Sequence, residues 1–309
     1  MAYIGGEVGA APRIEWPTLA LAAAIYGGWL AVTYFHAALP PWLTLGLGGW
    51  LLAWHNSLQH ETIHGHPTRN DRLNQAIGAA PLSLWIPYAV YYRSHRAHHA
   101  SAELTDPFED PESRYLPVGS GPGAALLRTV EGLQATLLGR LVLGPFVAVG
   151  RFLADEMVRL RAAPWAVVAD WVPHLGACIL VVAWLHWCGI SLGAYLLVFV
   201  YPGLSLSLLR SFAEHRAEAA PEHRVAIVET RSPLALLFLH NNLHAAHHEQ
   251  PGMAWYALPA FHRWHRDRLL HANGGLLYRG YGDLARRYLF RPHDQLIHPN
   301  HTAEAGRPG

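Results

Sequence analysis

The chain has 309 residues, 51% of them hydrophobic and only 15% charged, with a mean hydropathy of +0.11. A soluble domain usually carries about 25% charged residues, so this balance points to a membrane protein and excludes disorder, collagen and coiled coil. All 23 basic residues are Arg and nearly balance 22 acids, so no net field points to nucleic acid; the 2 cysteines, Cys178 and Cys188, can build neither a disulfide framework nor a four-cysteine metal site.

A helix needs about 20 apolar residues to cross the hydrocarbon core. The first such run lies at about 18–38; Glu7, Glu15 and Pro17 precede it and it is too long for a signal sequence, so it reads as a retained helix. Leu39-Pro40-Pro41 marks a turn into a second span at about 42–59. Two further apolar stretches, 76–92 and 133–150, are expected to lie in the headgroup region, because Pro81 and Pro87 break one while Arg140 and Pro145 interrupt the other. A third span, about 164–188, turns at Gly189-Ile190-Ser191 into a fourth at about 191–210. The expected fold is thus an all-α membrane protein of two helical hairpins, one domain over residues 1–293, with a polar, frayed tail at 294–309. Trp16, Trp42, Trp85, Tyr91, Trp165 and Trp187 near span ends read as interface anchors. Arg13 precedes the first span, ten Arg lie from Arg69 to Arg161 and twelve from Arg210 to Arg307, which accounts for all 23. The hairpin turns have none, so the termini and the long middle segment are expected on the cytoplasmic side.

Ten of the 22 His fall in three windows on that side. In HETIHGH, His60 and His64 stand one helical turn apart, with His66 just beyond; in HRAHH, the spacing of His95, His98 and His99 is expected to bring three imidazoles to one point. In HNNLHAAHH, His244, His247 and His248 repeat that spacing, and His240 sits one turn earlier on a continuous helix. Neutral imidazole ligates Fe, Zn, Cu and Ni, and eight such His exceed what one zinc site takes, so two metals are the economical reading. His36, His55, His174 and His186, in or at the ends of spans, read as hydrogen-bonded groups. A soluble carboxylate di-iron bundle needs two Glu-x-x-His pairs, and Glu61-Thr-Ile-His64 is the only one. A metal transporter would string ligands along the membrane depth, whereas this chain has one intramembrane acid, Asp170, which shares a helix face with His174. Glu61, Asp106, Asp110, Glu214 and Asn241, with Asn242 through water, are candidates to orient the rings; for the acids, solvation or Arg pairing is the competing role.

Two hairpins, an HxxxH box after the second span, an HxxHH box in the long loop and a last HxxHH box after the fourth resemble the integral-membrane fatty acid desaturase and hydroxylase superfamily, over residues 20–262. The neighbourhoods HGHPTRNDRLN, LTDPFEDPES and NNLHAAHHEQPGMAWYALP look most like bacterial desaturases and hydrocarbon oxygenases, which implies a bacterial inner membrane. The resemblance implies two non-haem irons that use O2 and two external electrons to oxidise a C–H bond. Box by box, His60, His64, His95, His98, His99, His244, His247 and His248 look like the ligands, and His215 fits a ninth place after the fourth span. The extra His66 and His240 leave the ligand count at nine or more. No cytochrome b5, ferredoxin or flavin motif occurs in the chain, so the electron donor is expected to be a separate ferredoxin, cytochrome b5 or reductase. A lipid substrate and acyl desaturation are favoured; hydroxylation of a hydrocarbon, carotenoid or other small substrate is the alternative, since both reactions begin with the same hydrogen abstraction.

Overall fold

The computed structural model describes residues 14–116 and 122–302, together with an antiparallel pair, β1 (Tyr3–Ile4) and β2 (Glu7–Val8). Arg13 and residues 303–309, with Arg307, lie outside the described residues. The chain divides into two compact units, one made of Pro12–Arg93 and Pro145–Ser207, the other of Ser94–Gly144 and the chain from Leu208 on. Helices in chain order are α1 (Trp16–Tyr34), α2 (Pro41–Ile63), α3 (Asp71–Gly78), α4 (Tyr88–Ala100), α5 (Pro122–Gln134), α6 (Leu137–Val142), α7 (Gly144–Ala162) and α8 (Pro164–Trp187). After them come α9 (Leu192–Glu214, with a π turn at Leu196–Val200), α10 (Leu234–Leu237), α11 (His244–Glu249), α12 (Leu258–Ala272) and α13 (Tyr281–Tyr288).

In the first unit, Pro17, Pro41 and Pro164 open α1, α2 and α8 in the first turn, where a missing N–H costs nothing. A 3₁₀ turn at His36–Ala38 joins α1 to α2; Gly189, at φ 80°, and the Ser191 hydroxyl, which accepts from Ala194 N–H at 3.2 Å, join α8 to α9. Among the described residues, three helices are long and apolar enough to cross a membrane: α1, α8 and α9. At 23 residues α2 is long enough as well, but His55, Asn56, Ser57, Gln59, His60 and Glu61 make its second half polar. Neither interfacial candidate forms one long helix: α3 ends at Gly78 and α4 starts at Tyr88, while α6 stops at Val142 before α7. Trp16, Trp42, Trp165 and Trp187 are all exposed, as are Val172, Leu175, Ile179 and Leu180 along α8, the surface a lipid-facing helix presents. Trp85 instead packs edge-on against Phe152.

The core of this unit gathers Trp29, Leu51, Leu52, Leu185, Tyr195 and Phe199. Its polar atoms are satisfied internally, the Trp29 indole donating to Tyr195 Oη at 2.9 Å and that hydroxyl to the Leu82 carbonyl at 2.7 Å. Small residues let α2 and α9 approach: a Cβ on Gly203 would stand 2.5 Å from Leu52 Cβ, and one on Gly49 2.9 Å from Pro202 Cβ. Gly203→Ala is therefore expected to cost about 1–3 kcal/mol by overpacking, read as a lower midpoint of thermal unfolding in detergent, whereas Gly46→Ala, with nothing within 4 Å, leaves it unchanged. Asp170 and His174, which share a helix face, do not pair with each other. Asp170 takes Arg93 and Arg159, the latter at 2.7 Å, while His174 Nε2–H donates to the Leu84 carbonyl at 3.1 Å.

The second unit is built on Ile227, Leu243, Ala246, Met253, Leu258, Phe261 and Leu269, which pack α11 and α12 together. A short parallel pair, β3 (Ile227–Val228) with β4 (Leu277–Tyr278), lies beside them, so the fold is mostly helical where an all-α one was expected. The segment after His293, expected as a frayed tail, is bound as far as its described residues reach. Asp294 accepts from Ala217 N–H at 3.0 Å, Ile297 bridges Leu116, and His298, fully buried, donates from Nε2 to Thr105 Oγ1 at 3.0 Å.

Candidate metal centre

Helix geometry splits each HxxHH box. Successive residues on an α-helix differ by about 100° around the axis, so neighbouring His98 and His99 face different points. His98 meets His215, His244 and His248, with ring nitrogens within 4.8 Å of one another. His95 and His99 meet His247 instead, within the same limit. The expectation that HRAHH brings its three imidazoles to one point is corrected accordingly: the box feeds two groups. In the other unit, His60 and His64 stand one turn apart at the end of α2, their rings tilted at 59° with centroids 4.8 Å apart.

The outer nitrogens fix the rings. His98 Nδ1–H donates to Asp110 at 2.8 Å, His95 Nδ1–H to Glu112 at 3.1 Å and His215 Nδ1–H to the Arg224 carbonyl at 3.3 Å. His244 Nδ1–H donates to Asn241 Oδ1 at 3.1 Å, with Glu214 Oε1 at 3.4 Å, and Asn241 in turn donates to Glu214 at 3.0 Å. Asp110 is itself held by the amides of Thr105 and Glu112 at 2.8 and 2.9 Å. An acceptor at Nδ1 sets the tautomer that leaves a lone pair on Nε2.

Those lone pairs converge. His215 and His244 bring Nε2 to Nε2 at 2.9 Å, His248 and His244 at 3.1 Å, and His99 and His247 at 3.0 Å. Burial, together with the surrounding imidazoles, lowers the pKa of His215, His244 and His248 well below the ordinary value and that of His99 to about 3. At His98 burial pushes down as well, but the Asp110 hydrogen bond and nearby carboxylates outweigh it and raise the pKa. With protons disfavoured, facing lone pairs repel unless a cation lies between them. Two nitrogens at right angles on one ion, with bonds of about 2.1 Å, stand about 3 Å apart. The donor set thus fits first-row metal ions, with one group of four imidazoles and another of three in the second unit alone.

Residues 35–281 match the sequence model of the family described as fatty acid desaturase. This chain belongs to the fatty acid desaturase family. No curated protein matches the chain. The desaturase family consists of membrane oxidoreductases, desaturases and hydroxylases, with di-iron centres, and the histidine groups of this chain could hold metal ions.

Of the residues expected to orient the rings, Asp110, Glu214 and Asn241 touch them. Others serve elsewhere. Asn242 donates to the Val228 carbonyl at 2.7 Å, which locks the loop to β3. Asp106 accepts from His301 at 2.9 Å, and these two with His298 form a separate group. Glu61 joins Glu15 and His66 in a buried cluster where His66 Nδ1–H donates to Glu15 at 2.7 Å. His240 does not precede His244 on a continuous helix: Leu239 and His240 turn left-handed at φ 49° and 57°, and the His240 ring stacks on Trp255. Glu112 was missed by the sequence reading. Its place thirteen residues after the end of the HRAHH box, among the four acids of LTDPFEDPES, gave no way to single it out.

Proposed function

We propose that this chain is an O2-dependent di-iron oxidoreductase of the bacterial inner membrane that removes hydrogen from a lipid acyl chain, with desaturation favoured over hydroxylation. The observation that supports it most is the 2.9 Å approach of His215 and His244, both anchored at Nδ1 and both low in proton affinity. On the family's box pattern we assign His98, His215, His244 and His248 to one iron, and His95, His99 and His247 with His60 and His64 to the other. An alkyl C–H bond offers no acid or leaving group, so the irons, when bound, would supply the oxidising power by activating O2. The chain's own residues orient four of these rings: Asp110 holds His98, Glu112 holds His95, Asn241 holds His244 and the Arg224 carbonyl holds His215. The exposed apolar faces of α8 and α9 suit a lipid-soluble substrate. Electrons come from a separate ferredoxin, cytochrome b5 or reductase.

We also propose four crossings, with α2 as the fourth helix and the histidines on the cytoplasmic side, because the two hairpin turns lack Arg. In a chain with Cys178 and Cys188 replaced, cysteines placed at Leu39 and Ser191 are expected to react with an impermeant reagent on intact cells, and those at Ala100 and Ala245 only after lysis. Labelling of Ala100 from outside would refute the arrangement. The activity itself is tested by lipid profiling of membranes supplied with O2 and a reductase chain: new double bonds are expected, stopping when either is withheld. Hydroxylated product alone would select the alternative, and metal flux into proteoliposomes without reductant would support a transporter.

A further inference from the structure

Arg224, in the second unit, is fully buried, and what meets its guanidinium is mostly neutral. Nε–H donates to the Glu218 carbonyl at 2.7 Å and Nη2–H to the Ala219 carbonyl at 3.3 Å, while Nη1–H groups reach both the Leu104 carbonyl and Glu103 Oε2 at 2.9 Å. The Glu103 side chain is 42% exposed, so water weakens its hold on the charge. Replacing a buried ion pair by apolar side chains is often neutral or stabilising, so stability alone gives little reason for a cation here. The reason lies in the peptide group that the charge touches.

The Leu104 carbonyl and the Thr105 N–H are the two ends of one planar peptide group. Arg224 donates to its oxygen, its N–H donates to Asp110 Oδ2 at 2.8 Å, and Asp110 Oδ1 accepts from His98 Nδ1–H at 2.8 Å. A charged donor on the oxygen polarises the peptide and strengthens its N–H, so the guanidinium reaches His98 along a continuous chain of hydrogen bonds. The backbone is strained to make that chain. Thr105 sits at φ 71°, left-handed, where a β-branched residue is an outlier. Such strain persists only where the surroundings over-determine it. Here they do: the Thr105 carbonyl also accepts from Ser113 Oγ–H at 2.5 Å, and Oγ1 accepts from His298 Nε2–H at 3.0 Å. Arg224 meanwhile offers its own carbonyl to His215 Nδ1–H at 3.3 Å and to the Arg216 amide at 3.1 Å. One residue therefore serves two members of the four-histidine group, His98 through its side chain and His215 through its main chain.

We propose that Arg224 is a positioning residue of the metal centre: its guanidinium, acting through the Leu104–Thr105 peptide and Asp110, sets the orientation and donor strength of His98 against a His215 held by the Arg224 carbonyl. This rests on the reading of these histidines as iron ligands. Full-length, iron-loaded protein in detergent is challenged with a ferrous chelator, and the reduction potential of its iron is measured in parallel. Arg224→Gln is expected to release iron about 10–100-fold more readily, as loss of a group that orients a ligand does. Its potential should fall, because without the positive charge Asp110 turns more fully on His98 and makes the ring a stronger donor to the oxidised ion. Arg224→Lys, which still places a charged donor on the Leu104 carbonyl, should recover most of both effects. Independent losses multiply, whereas residues acting along one chain do not. Arg224→Gln placed on Asp110→Asn should therefore add little to the loss that Asp110→Asn shows alone. If Arg224→Gln does not accumulate in the membrane, Glu103→Gln carries the test: it removes the countercharge from a half-exposed side chain, and the potential should rise. Full multiplication in the double variant, no gain from Arg224→Lys, or a potential that stays put in Arg224→Gln or Glu103→Gln overturns the role of Arg224 while leaving the iron ligands standing. A wild type that holds no iron overturns the ligand reading, and this proposal with it.

Discussion

His98→Ala is expected to lose about half of the bound iron and essentially all turnover while the protein stays in the membrane. His98 stands in the four-histidine group, buried, with its Nδ1–H locked to Asp110 at 2.8 Å and that carboxylate braced by two backbone amides. Removing the ring deletes a metal ligand and leaves Asp110 buried without its histidine partner, so no nearby side chain can substitute. Asp110→Asn separates ligation from orientation: the acceptor oxygen survives but its charge does not, and groups that orient ligands typically account for about 10–100-fold in affinity or activity. The loss at His98→Ala should exceed that range. Metal analysis of purified protein from iron-replete cells checks the first part, with about two irons per wild-type chain, and lipid profiling checks the second. One tightly bound zinc and no iron in the wild type, or two irons and full turnover in His98→Ala, would sink the di-iron reading.

The clustering of the histidines was legible because residues three and four apart on a helix share a face, and the i, i+3, i+4 pattern stands out in both HRAHH and HNNLHAAHH. Their division between two groups was less legible, although the same geometry dictates it. His98 and His99 are neighbours in sequence and therefore diverge around the axis, just as His247 and His248 do. The breaks between α1 and α2 and between α8 and α9 were legible in Leu39-Pro40-Pro41 and Gly189-Ile190-Ser191, where proline and glycine chemistry constrains the backbone directly. Residues brought in from far along the chain were not. Glu112 reaches His95 only because the LTDPFEDPES loop folds back around Asp110, and the His298 contact to Thr105 joins residues with no local pattern in common. The apolar count also placed α2 among the spans by its first half, while its second half carries the polar residues that lead into His60 and His64.

His215 and His240 are expected to part company. HNNLHAAHH reads as one helix with His240 on the ligand face, but α11 begins only at His244, and the preceding residues adopt left-handed conformations that branched or bulky side chains seldom take. Leucine at 239 gives no hint of such a turn, which is why periodicity misled there. The turn swings the His240 ring onto Trp255. His215 has no helical partner to advertise it, yet it lies one residue past α9, where an isolated bridge to Val225 and the Arg224 carbonyl hold it with Nε2 2.9 Å from that of His244. His215→Ala should therefore lose about half the iron and nearly all activity, beyond the roughly 100-fold ceiling usual for an orienting group. His240→Ala should keep almost all its iron, with activity reduced by no more than about tenfold, within the range of an outer contact. Iron content measured on the two variants side by side decides it: iron lost from His240→Ala and retained in His215→Ala would mean that the ligand set on this side of the centre has been drawn through the wrong histidine.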